Sequence, residues 1–138
     1  LAALRATTIE LDGVVHDDPP DALVRYTALN EQFHAELVVL ARSDVLARQI
    51  SRVTSVPFAA PTALLASYSQ LPGWRETLIV AQHQHHALID AIAAGHGARA
   101  EEVAREHARL SRQNLEHLLQ RRELLEQLPG ARLVDVAG

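Results

Sequence analysis

The sequence predicts an all-α domain, an antiparallel helical bundle, and three observations carry that expectation. Apolar residues make up 48 % of the chain but aromatics only 4 %, so the core must be built from Leu, Ala, Val and Ile, side chains suited to helix packing. Three long segments repeat apolar residues at the i, i+3, i+4, i+7 spacing of one helix face. No run alternates apolar and polar residues over a useful strand length. At 138 residues the chain has the length of one domain, large enough to bury a core without covalent staples.

The elements follow in order. Leu1-Ala2-Ala3-Leu4 reads as the end of a helix already under way, as if something upstream had been removed. Thr7-Thr8-Ile9-Glu10 has the pattern of a capping box, which predicts a new short helix from Thr7 to about Val15. Asp17-Asp18-Pro19-Pro20 ends it, since proline removes an amide donor and forces the preceding residue out of the α region. A long helix is expected from Asp21 to about Arg42, with Leu23, Leu29, Phe33 and Leu37 on its apolar face. Ser43-Asp44 supplies an N-cap for a segment from Val45 to about Val53. Pro61 suits the first turn of a short helix through Ala66, and Pro72-Gly73 precedes a second long helix from Trp74 to Ala94 with Gly95 as its stop. The last helix is expected from Ala98 to about Leu128, ahead of Pro129-Gly130. This organisation implies a domain over residues 1–130 and a tail over 131–138.

Composition excludes several function classes. A net charge of −4 is the wrong sign for a domain that wraps nucleic acid. With no cysteine, disulfides and thiolate metal sites are ruled out, so any metal must be held by nitrogen and oxygen. The chain has neither a membrane-length apolar run nor a basic start followed by an apolar stretch, so a soluble, cytoplasmic protein with no membrane partner is expected.

Polar residues interrupt the apolar stripe of each long helix. Asn30 and His34 are one turn apart on the inward stripe of the first. His85 sits mid-stripe on the second, between Gln82 and Leu88, whereas His83 and His86 fall roughly 200° and 100° away at about 100° per residue. His107 lies between Val103 and Leu110 on the third, and Asn114 follows on the same stripe. Taken singly, each histidine reads as a core imidazole bonded to main chain. Together, three imidazoles and an amide left unpaired in a Leu/Ala core would cost on the order of 1–3 kcal/mol each, and one divalent cation satisfies them all. Asn30, His34, His85 and His107 are therefore the candidate ligands, a set that suits Zn, Ni, Co, Fe or Mn. His16, His96 and His117 read as solvated, His83 and His86 as surface or rim groups, and Glu101-Glu102 and Arg121-Arg122-Glu123 as solvated helix faces.

These residues match a known pattern. Asn30-Glu31-Gln32-Phe33-His34 with Leu37, the turn Ala41-Arg42-Ser43-Asp44-Val45-Leu46, Gln84-His85 with Ile89, Ala91, Ile92 and Gly95, and His107 occur in the order of a family's motifs. On them the chain, over roughly residues 1–125, resembles the FadR-C-terminal-domain (FCD) class of GntR-type transcription regulators. The resemblance implies six or seven antiparallel helices around a central cavity, a winged helix-turn-helix DNA-binding domain upstream, and homodimeric operator binding. It also implies that a metal is held at the positions of Asn30, His34, His85 and His107 and that a small carboxylate effector ligates it. The family usually has aspartate where this chain has Asn30, and glutamate where it has Gln84. A neutral amide is the weaker donor, so metal affinity should fall while the ion keeps its full charge for an anionic effector.

Candidate effector contacts are Gln82 and Asn114 on the inward stripes and Arg52 as a cation for a carboxylate. Two other classes compete. A helical-bundle metalloenzyme would use Glu31-x-x-His34, but a di-iron site needs a second such motif and more inward glutamates, and neither is present. No nucleophile motif or glycine-rich phosphate loop occurs either, so no enzyme activity is expected. The second is a metal-free dimerisation bundle with satisfied core histidines.

Overall fold

A computed structural model describes residues 1–16, 21–55 and 72–121. It contains five helices in these residues, α1 (Ala2–Val15), α2 (Asp21–Leu40), α3 (Asp44–Thr54), α4 (Trp74–Ala93) and α5 (Gly97–Leu119), and no strand. The all-α expectation holds, while six or seven helices are not reached among the described residues. The short helix expected at 61–66, the tail at 131–138 and the stretch 122–128 of the last helix lie outside them.

The first helix corrects the sequence reading. It runs unbroken from Ala2, so Thr7 is not an N-cap. Both threonines are buried in mid-helix because each hydroxyl finds another partner: Thr8 Oγ1 donates back to the Leu4 carbonyl at 2.7 Å, and Thr7 Oγ1 reaches Glu36 Oε2 on α2 at 3.1 Å. Gln32 Nε2 completes that knot by donating to Thr7 Oγ1 at 3.1 Å and Glu36 Oε1 at 2.9 Å. A tertiary acceptor thus outcompetes the local cap.

The other boundaries fall close to expectation. α2 gives way to a turn in which Arg42 takes φ 48°, and Ser43 caps α3 by accepting from the Leu46 amide at 3.3 Å. α4 ends in a Schellman motif: Gly95 at φ 71° donates to Ile92 O at 3.0 Å, and His96 to Ala91 O at 2.9 Å. That tight turn folds α5 back along α4. α1 and α4 are also antiparallel, because Arg75 donates to the Val15 carbonyl at one end and Arg5 pairs with Asp90 at the other.

α1 packs against both α2 and α4, α5 packs along α4 and meets α2 through His34 and His107, and α3 rests on α2. The core they share is Leu4, Leu11, Val14, Tyr26, Phe33 and Leu88 with flanking aliphatics. Phe33 is fully buried, and it carries the packing into the polar site: its ring lies 4.1 Å from that of His85 and edge-on to His34 at 5.5 Å. None of the helices in the described residues is long and apolar enough to cross a membrane.

Candidate metal centre

Three helices each deliver one imidazole to the same interior. His34 comes from α2, His85 from the middle of α4 and His107 from α5, and one nitrogen of each lies within 4.8 Å of the others. Ring centroids stand 5.7 Å apart for His34 and His85, 5.4 Å for His34 and His107, and 4.7 Å for His85 and His107. Among the described residues this is the one group of His, Cys, Asp or Glu close enough to share an ion.

Electrostatics keep all three rings neutral. Burial, reinforced by the neighbouring His107, pushes His34 down to about 4. Burial, with His107, His34 and His86 nearby, takes His85 to about 2, and burial lowers His107 as well. Neutral imidazole is the form that offers a lone pair to a metal.

Hydrogen bonds account for one nitrogen of two rings. His85 Nδ1 meets Gln82 Oε1 at 3.0 Å, and His107 Nδ1 meets Gln84 Oε1 at 3.1 Å. A carbonyl oxygen only accepts, so each Nδ1 donates and each Nε2 keeps its lone pair. His85 Nε2 and His34 Nε2 are buried with no hydrogen-bond partner among the described residues. Buried polar nitrogens without a partner are rare in folded proteins and cost about 1–3 kcal/mol each, and a shared ion would satisfy both where a set of satisfied core histidines leaves no such atoms. The residues fit a divalent ion bound through imidazole nitrogen.

Asn30 is 5 % exposed and lies one turn before His34 on α2, on the face that supplies that ligand. Gln82 is buried, but its amide is already engaged, donating to Thr8 O and Asp12 Oδ1, both at 2.8 Å, and accepting from His85. Arg52 is exposed in the last turn of α3. Asn114 is half-buried and lines a cavity of about 400 Å³ between α2, α4 and α5, with Thr77, Gln113, His117, Gln120 and Arg121 among its other polar walls. Leu78 and Leu110 line the same cavity, roughly 10 Å from His85 and 4–5 Å from His107 along their helices at about 1.5 Å per residue. Its described lining contains no carboxylate, and Arg52 is not part of it.

Asp12 was not foreseen. It accepts from Gln82 and, through both oxygens at 3.0 Å, from His86 Nε2, so His86, half-exposed, also anchors Asp12. Burial alone would raise the Asp12 carboxyl, but the bonds from His86 and Gln82 outweigh it and hold the group below the usual carboxylate range. Leu4, Thr8, Leu11 and Asp12 form the inward stripe of α1, and the test applied to the other helices would have found Thr8 and Asp12 had α1 been read as one helix.

A profile of the FCD domain matches residues 1–110, four-fifths of the chain and all three histidines. The chain belongs to the FCD domain family. FCD domains are regulatory, ligand-binding domains rather than enzymes, and the helical architecture and internal histidine site described above are those of this FCD domain. No curated protein gives a significant match.

Proposed function

We propose that this FCD domain senses a small organic acid through a divalent metal, zinc, nickel or a similar ion, held by His34, His85 and His107 with Asn30 as the fourth donor. The observation that carries the reading is the convergence of three neutral imidazoles from separate helices, two with buried Nε2 atoms that have no other partner among the described residues. When bound, the ion supplies a Lewis-acid centre with positions left for a carboxylate.

The chain's own residues do the rest. Phe33 closes the site against the core and keeps two of the rings in place. Asn30, being neutral, leaves the positive charge of the site undiminished, which favours an anionic effector. The cavity beside Asn114 receives the organic part, with Arg121 as its cation and no opposing carboxylate among its described walls. Of the expected effector contacts, Asn114 is the one we assign to the ligand; Gln82 acts through His85, and Arg52 would reach an effector only outside this cavity.

In this reading the domain belongs to a cytoplasmic, homodimeric GntR-type regulator that touches DNA through a separate winged-helix domain, within a bundle of six or seven helices. Effector binding draws α2, α4 and α5 towards one arrangement, and it can bias DNA binding only by its differential affinity for two arrangements.

Elemental analysis of the purified chain, followed by thermal melts with dicarboxylates and hydroxy acids before and after chelation, tests the proposal. One equivalent of metal per chain and an acid-induced stabilisation that chelator abolishes are expected. Failure of the wild type to bind zinc or nickel at micromolar concentration refutes it.

A further inference from the structure

A neutral imidazole carries one N–H and one lone pair, and which nitrogen carries the proton depends on the bond made by the other. In water the proton favours Nε2, the nitrogen that at His85 faces the shared site. Something must reverse that preference. Gln82, one turn before His85 on α4, is placed to do so, and its own orientation is determined by α1. Its amide nitrogen stands 2.8 Å from the Thr8 carbonyl and 2.8 Å from Asp12 Oδ1. A main-chain carbonyl cannot donate, and an ionised carboxylate cannot either. The end of Gln82 that faces α1 must therefore be the NH2, with both hydrogens spent, and the end that faces His85 Nδ1 must be the carbonyl. Asp12 is itself held in place by His86 Nε2, 3.0 Å from each of its oxygens.

We infer that Asp12 and Thr8 orient the Gln82 amide so that it locks His85 in the tautomer protonated on Nδ1, presenting the Nε2 lone pair to the site. Asp12 and Gln82 are positioning residues. They touch no ligand, and they determine what His85 can offer one. Partners one step behind a metal-bound histidine commonly change metal affinity by about 10- to 100-fold. The purpose of the lock rests on the metal reading above, but the tautomer is a property of the metal-free protein and can be measured without any ion.

The test is long-range proton–nitrogen NMR of the histidine rings in ¹⁵N-labelled, metal-free protein at pH 7.5, comparing wild type with Gln82→Leu and Asp12→Asn. The wild type is expected to show His85 protonated on Nδ1. Gln82→Leu moves His85 towards the Nε2-protonated form and leaves His107, bonded to Gln84, unchanged. Asp12→Asn, an isosteric change at a half-exposed side chain, produces a smaller shift in the same direction and keeps the test available if Gln82→Leu does not fold. Zinc titration of the same samples should show affinity reduced by about 10- to 100-fold in the leucine variant. A wild-type His85 protonated on Nε2, or a tautomer unmoved in both variants, overturns the inference. A wild type locked on Nδ1 that binds no zinc upholds the lock and removes the metal reading instead.

Discussion

Replacing His34 with leucine should stabilise the metal-free protein, which is the opposite of what most substitutions of buried residues do. His34 Nε2 is enclosed without a hydrogen-bond partner among the described residues, and an orphaned buried polar atom costs about 1–3 kcal/mol. Leucine has similar bulk, carries no polar atom and faces Phe33 on one side. Without metal, His34→Leu is therefore expected to gain about 1–3 kcal/mol, a rise in Tm of about 3–10 °C for a domain of this size. Zinc at about 100 times its Kd adds about 2.7 kcal/mol to the wild type, whereas the variant, with two imidazoles left, gains little. The order of stability should invert when metal is added. Calorimetric melts of both proteins in chelator and in excess zinc measure this directly. A variant that is less stable than wild type in chelator, or that shows the same metal-induced shift, would refute the reasoning that His34 is retained for a ligand at the expense of the fold.

Acid should destabilise the metal-free domain well before its carboxylates titrate. The folded-state value of His34 is depressed to about 4 from about 6.5 in the unfolded chain, so its contribution is complete above pH 6.5 and is lost as pH falls towards 4. The share from His34 is about 3 kcal/mol and should be missing from the slope of His34→Leu, which keeps the part due to His85 and His107; urea melts at pH 7.5, 6, 5 and 4 give both slopes, and a flat wild-type profile from pH 7.5 to 5 counts against neutral buried imidazoles. Asn30→Asp, which adds a charged oxygen beside His34, should tighten zinc binding by at least tenfold in competition titrations, and an unchanged affinity would remove Asn30 from the ligand set. Phe33→Ala should cost about 3–5 kcal/mol by denaturant unfolding and weaken zinc binding in the fraction that stays folded, because the same ring fills the core and buttresses His34 and His85; a loss below 1 kcal/mol contradicts that packing.

The candidate site was more legible in the sequence than the connections behind it. His34, His85 and His107 each interrupt an apolar stripe of period 3.6, and a polar residue on such a stripe is a signal that survives without knowledge of the fold. Ser43 and Gly95 were legible for a similar reason, since caps act within a few residues of the helix end they terminate. Thr7 misled because a capping box is also a local pattern, yet Glu36 and Gln32 from another helix claimed its hydroxyl. Asp12 was hidden because a helix begun at Thr7 cuts off Leu4 and with it the inward stripe Leu4, Thr8, Leu11 and Asp12; that its partners are Gln82 and His86, about seventy residues away, only the folded chain reveals. Asn114 was placed on an inward stripe, but the cavity it lines is formed by three helices whose relative setting only the folded chain reveals.

The central claim is that His34, His85 and His107 share one cation, and X-ray absorption at the zinc edge of the loaded protein tests it most directly. Three imidazoles at about 2.0–2.1 Å, falling to two in His107→Ala, are predicted. A wild-type spectrum with one imidazole or none, and no change in the variant, would contradict it.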